Sequence, residues 1–211
     1  MHLSTIHKSD ATLIDFLRMF DVVNLKQLLE NRQQTIVYCN GKNKSIDMAR
    51  EFSKFLSESG DKDLEDLSRD IRNEVHGEYY LTEIIKKGVA YHIGYLPAVI
   101  RMRIEDMFRK GKITIMFCTS TLLEGVNLPA DNLFITDFKI NRSIMTPVDF
   151  RNLIGRVGRI RFNLYGNVFF VTQGDKITEK DYVELLQAPI PDQIYQLNLE
   201  KLAYRRLRKI T

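Results

Sequence analysis

Cysteine is scarce in this chain, with two residues, Cys39 and Cys118, among 211. Two thiols exclude a disulfide framework, and with the scattered histidines they supply no ligand spacing for a structural zinc site, so no metal is expected. Each cysteine closes an apolar run (TIVYC and KITIMFC), where a thiol behaves as a small buried hydrophobe. A reducing, cytoplasmic setting follows. Glycine and proline are also few, 11 and 5, and no repeat or low-complexity stretch is present, which argues against a disordered or solenoid chain. The longest apolar runs are about six residues against the roughly 20 that span a bilayer. The N-terminus has no signal-peptide core, so the expectation is a soluble protein without a membrane partner. Also missing are a G-x-x-x-x-G-K-[ST] loop to cradle phosphates and a DExH or DEAD sequence to hold magnesium. The nearest look-alike, Asn73-Glu74-Val75-His76, puts Asn in place of the metal-binding Asp and lies in a charged helical stretch.

What is present is a chain 44% hydrophobic, enough to bury a core as one domain or at most two. The formal net charge of +4 favours a polyanionic partner, but 27 acidic residues are interspersed with 31 basic ones, so charge alone decides little.

Apolar positions from about Asp10 to Asn31 recur at helical spacing and predict a leading helical segment over residues 1–32. Thr35 to Cys39 reads as a buried strand closed by Asn40-Gly41, feeding a helix from about Asn43 to Glu58 that Gly60 stops. Residues 61–87 read as a charged helical insertion. Val89 to His92 is the next strand, and Pro97 opens a helix with Ile100, Ile104, Met107 and Phe108 on its buried face. Arg101, Glu105 and Arg109, four apart, are expected on the solvated face of that helix. Ile113–Cys118, Leu133–Phe138 and Asn167–Thr172 are further strands. Thr146-Pro147-Val148-Asp149 is a helix start with Thr146 as N-cap, and a last helix and a basic tail follow over 176–211. Strands alternating with helices predict a mostly parallel sheet with functional loops at the strands' carboxyl ends.

Two such loops carry chemistry. FRNLIGRVGR, residues 150–159, sets Arg156 and Arg159 three apart, with glycines at 155 and 158. Paired guanidinium forks suit phosphate oxygens and can stabilise charge spreading on a transferred phosphoryl group; a basic helix end followed by a Gly-permitted turn fits the spacing as well. CTSTLLEGVNLPA, residues 118–130, puts hydroxyls and then Gly125 and Asn127 directly after the strongest strand, where backbone phosphates can be held without reading bases. Alone, it also fits an ordinary polar turn.

Taken together, the loops resemble a known family. TSTLLEGVNLPA looks like motif V and NLIGRVGR like motif VI of superfamily 2 helicases. YHIGYLPAVIRMRIEDMFRKGKITIMFCTST resembles the approach to motif V in the superkiller-like DExH-box branch, and VYCNGKNKSIDMA resembles motif IV. The resemblance covers about residues 33–173 and implies a three-layer RecA-like α/β domain of P-loop NTPase type, with a mostly parallel sheet of five to six strands and helices on both faces. It implies the second, C-terminal motor lobe of an ATP-dependent helicase, working as a monomer beside an N-terminal RecA-like lobe that binds most of the ATP and Mg2+. By position, Arg156 and Arg159 would be arginine fingers, and Gly125, Asn127 and Asn152 would lie near the nucleotide. Asn40, Lys42, Thr119 and Ser120 would face single-stranded RNA or DNA. The sequence departs from the pattern at Asn152, where this branch has Gln, and at Val157, where Ala or Thr is usual. The shorter amide weakens any contact it makes in the interlobe cleft. A stand-alone nucleic-acid-binding or regulatory module, and the motor of a translocating nuclease, are the other readings.

Overall fold

The computed structural model describes residues 2–8, 13–17, 33–75, 80–123, 128, 130–156 and 166–189. Its centre is a six-stranded sheet of β1 (His2–His7), β2 (Thr35–Tyr38), β3 (Val89–His92), β4 (Ile115–Cys118), β5 (Asn132–Ile135) and β8 (Asn167–Thr172). The strand order is β1-β8-β5-β2-β4-β3 and every pairing is parallel. A two-stranded antiparallel hairpin, β6 (Lys139–Ile140) with β7 (Ser143–Ile144), stands apart. Its turn residue Asn141 has φ +57°, a left-handed conformation that Asn tolerates well.

The helices are a helical stretch at 13–17 (α1), α2 (Lys42–Ser53), α3 (Lys62–Glu74), α4 (Tyr80–Ile85), α5 (Ala98–Arg109), α6 (Pro147–Ile154) and α7 (Glu179–Gln187). All four positions of each of β2 to β5 are buried, as in a parallel sheet covered on both sides.

Register and ring contacts identify the two covers. Val37, Phe117, Phe134 and Phe169 are register partners on one face. Phe52 of α2 packs against Phe117 and Phe16 of α1 against Phe134, with centroids 6.0 and 6.1 Å apart. The neighbouring register positions Tyr38, Cys118, Ile135 and Phe170 point the other way. There Tyr182 of α7 stacks on Phe170 at 4.9 Å, and Phe150 of α6 lies 5.9 Å from the same ring. The result is the expected three-layer α/β sandwich.

Three local expectations change. β1, absent from the reading of the leading segment, adds an edge strand against β8. α2 stops at Ser53 and not near Glu58, with Gly60 (φ +68°) closing the loop beyond it, and Phe55 is 56% exposed. Glu105 is not on a solvated face. It is buried, 8% exposed, beneath α5, because a buried imidazole waits for it there. Both cysteines are buried, as expected, and none of the described helices is long and apolar enough to cross a membrane.

Candidate nucleic-acid interface

Because all six strands run in parallel, the loops that follow them meet at one edge of the sheet. The loops after β2, β3, β4 and β5 enclose a cleft of about 450 Å³, lined by Tyr38, Asn40, Gly41, Lys42, Ile93, Gly94, Tyr95, Thr119, Ser120 and Asn141. Asn40, Lys42, Thr119 and Ser120, assigned to nucleic acid from the sequence, thus lie in one place.

Each wall has a local cause. Gly41 takes φ +106°, a conformation that glycine alone adopts cheaply, and so turns the chain from β2 straight into α2. As N-cap, Gly41 has no side chain to accept from the first-turn amides. That end of α2 carries a partial positive charge and donors suited to an anion. Lys42, the first residue of α2, places its ammonium 4.0 Å from the centroid of the Tyr95 ring.

Asn40 is also engaged within the fold. Its side-chain nitrogen donates to Asp137 Oδ2 at 3.2 Å and to the Asn141 carbonyl at 3.0 Å. Both partners are acceptors, so the amide must present its NH2 to them. Asn40 ties the β2 loop to the loop and hairpin after β5, and only its oxygen is left for the cleft. Beneath it, the Tyr38 hydroxyl donates to the Lys139 carbonyl at 2.7 Å, and burial pushes that phenol's pKa up.

The opposite wall hangs on His92, which is 1% exposed. Its Nε2 lies 3.0 Å from Glu105 Oε1 and its Nδ1 3.0 Å from Thr121 Oγ1. Burial pushes the imidazole pKa down, against the opposing pull of Glu105. In the neutral ring Nε2–H donates to the carboxylate, and Nδ1 accepts from the Thr121 hydroxyl. Glu105 is also within 3.4 Å of Arg109 Nη2. The Thr119 amide donates to the His92 carbonyl at 3.2 Å, and the Thr119 and Thr121 hydroxyls are 3.4 Å apart. These contacts together hold the Thr119–Thr121 segment at a fixed height over the sheet. Gly94 belongs to the same contact, since a Cβ there would come within 3.2 Å of Thr121 Cγ2.

The residues assigned to the nucleotide are placed less completely. Gly125, Asn127 and Arg159 lie outside the described residues. Asn152 is exposed on α6, whose N-terminus has the expected cap, with the Asp149 amide donating to Thr146 Oγ1 at 3.1 Å. α6 ends at Ile154, two residues short of Arg156. Arg156 is 8% exposed, its amide bonded to the Leu153 carbonyl and its carbonyl accepting from Ala130. Its charge acts on Cys118, opposing the rise that burial imposes on that thiol.

Sequence reasoning missed Tyr95, Asn141, Thr121 and Glu105 as parts of this edge. An aromatic directly after Gly94 at the end of the Val89–His92 strand was the available signal for Tyr95. For Glu105 there was none, since its partner is brought to it only by the fold.

The helicase conserved C-terminal domain family matches residues 21–161. An ATP-dependent DNA helicase Hel308 of Methanococcus vannielii is 32% identical over 71% of the chain and 21% of its own length. The Hel308 of Thermoplasma acidophilum is 27% identical over 89% of the chain and 28% of its length. A human helicase POLQ-like protein is 28% identical over 72% and 14%. The chain thus spans about a fifth of the length of the first curated relatives it matches.

Proposed function

Since the chain belongs to the helicase conserved C-terminal domain family, we propose that it is the second motor lobe of an ATP-dependent helicase, gripping the backbone of a single strand. The observation that carries this reading is the cleft itself. An ammonium, two hydroxyl residues and an open helix N-terminus converge on one edge of a parallel sheet. Donors of that kind hold phosphates and leave base identity unread. The names of the relatives favour DNA as the strand, and the approach to motif V favours the superkiller-like branch.

In this reading an N-terminal lobe holds ATP and Mg2+. Without a G-x-x-x-x-G-K-[ST] loop to cradle phosphates, this lobe is inert toward ATP by itself. Closure of the two lobes on ATP would bring Arg156 and Arg159 toward the γ-phosphate, where guanidinium forks stabilise the transferred charge. Reopening after hydrolysis would step the cleft along the strand. At 8% exposure Arg156 has little surface to offer another lobe, so this role requires its guanidinium to swing outward. That burial also favours a second reading, a nucleic-acid-binding module in which Arg156 serves the fold alone.

The two readings part in the intact two-lobe protein. Arg156→Lys, which keeps the charge and loses the fork, and Arg159→Ala should each lower nucleic-acid-stimulated kcat by about 10³-fold or more. Affinity for a single strand should stay within about twofold by the backbone-contact argument. Wild-type turnover in both variants rejects the finger assignment and leaves Arg156 a residue that serves the fold alone.

A further inference from the structure

Tyr95 is a large aromatic left 78% exposed on a segment that is otherwise rigid. The flanking Ile93 and Leu96 are 1% and 2% exposed, and the Leu96 amide donates to the Ile93 carbonyl at 3.1 Å, closing the turn between them. Gly94 rests against Thr121 below, and Pro97 caps α5 immediately after. Little conformational freedom remains for the ring to lose on binding, which is what a contact needs in order to convert area into affinity.

The ring also has two different sides. One is held by the Lys42 ammonium at 4.0 Å. Among the described residues no carboxylate lies within ion-pair distance of that ammonium, so its donors remain available to an anion. The high exposure of the ring leaves its remaining surface to the cleft mouth. An aromatic face, a cation against it and phosphate donors one loop away form the combination that binds unpaired nucleotides without sequence preference.

We infer that Tyr95 is a base-stacking shelf: a single strand held by its phosphates at Lys42, Thr119 and Ser120 lays one unstacked base on the Tyr95 ring. The inference rests on the backbone-gripping reading above and adds to it that the ligand must carry bases, not phosphates alone. It also makes an extruded, unpaired base a requirement that duplex cannot meet. Lys42 couples the two contacts, because the same ammonium that orients the ring reaches toward the adjacent phosphate.

The test uses the whole chain and 12-mer oligo-dT and oligo-rU, each in a normal form and in a form with abasic sites along the strand. A stacked base is worth about tenfold in affinity or more. Wild type should bind the normal strands about tenfold more tightly than the abasic ones. Tyr95→Ala should lose that factor and treat both forms alike, while Tyr95→Phe keeps it. A 2-aminopurine stepped along the strand should be quenched at one position by wild type and Tyr95→Phe but not by Tyr95→Ala. The effect on either sugar supports the shelf and tells which strand it serves. Salt-sensitive binding by wild type that is equal for normal and abasic strands overturns the shelf and leaves the phosphate grip intact. Failure of wild type to bind either strand overturns both.

Discussion

At the scale of single residues, the decisive object is the His92 imidazole, buried between a carboxylate and a hydroxyl. Removing Glu105 would leave Nε2–H without its acceptor, and a buried donor in that state costs about 1–3 kcal/mol. Glu105→Ala should therefore lower unfolding free energy by about 2 kcal/mol, read from urea denaturation with an unchanged m-value. The same ring makes stability depend on pH. Its folded pKa lies below the ordinary 6.5 because of burial, so as pH falls below 6.5 the unfolded chain takes up a proton that the folded chain refuses. Stability present above that pH declines toward the folded value. Comparing denaturation midpoints at pH 7.5 and 5.5 should show this loss in wild type and a smaller one in His92→Gln. Lys42 makes a second prediction. If its ammonium holds one phosphate, Lys42→Ala should reduce the log–log salt slope of single-strand binding by about one, equally for every base sequence.

At the scale of elements, local chemistry and tertiary packing divide the work unevenly. The start of α6 could be read directly, because Thr146, Pro147 and Asp149 satisfy its end from within four residues. Thr146→Ala should cost about 1 kcal/mol, visible as a lowered Tm, without touching the cleft. The start of α3 is similar. Asp61 accepts from the Asp63 and Leu64 amides and from Lys112, whose ammonium holds the carboxyl below its usual range. A carboxylate with a lowered pKa stabilises the fold above its ordinary value and ceases to as pH falls through the folded one. Acidification below about pH 4 should release this cap before the core unfolds, which amide exchange along α3 would follow. The end of α2 was misread because its helical pattern continues through Phe55 and Leu56. Past Ser53 the chain leaves the helix, with Leu56 partly buried against the core and Phe55 56% exposed. β1 was missed for a related reason: a strand of mixed residues at a sheet edge has little pattern of its own and exists through its parallel partner β8.

For the whole molecule, the parallel sheet is the fact from which the site follows. Loops that leave β2, β3, β4 and β5 in one direction must share an edge, and polar residues placed in them by turn chemistry then converge. The chain by itself should accordingly bind single strands with affinity falling steeply as salt rises from 50 to 200 mM, and should turn over no ATP. Measurable turnover would place a phosphate-binding floor where the sequence has none. The class of fold, five of its strands and the four cleft residues Asn40, Lys42, Thr119 and Ser120 were determined by the sequence. Apolar runs, helix caps and the Asn40-Gly41 turn act over a few residues and leave their mark in the chain. Only the tertiary structure decided that Glu105 goes inward to His92, that Asn40 spends its NH2 on the loop and hairpin after β5, and that Lys42 meets Tyr95. Those pairings join residues from different elements, and no local rule selects a partner that only the packed sheet brings within reach.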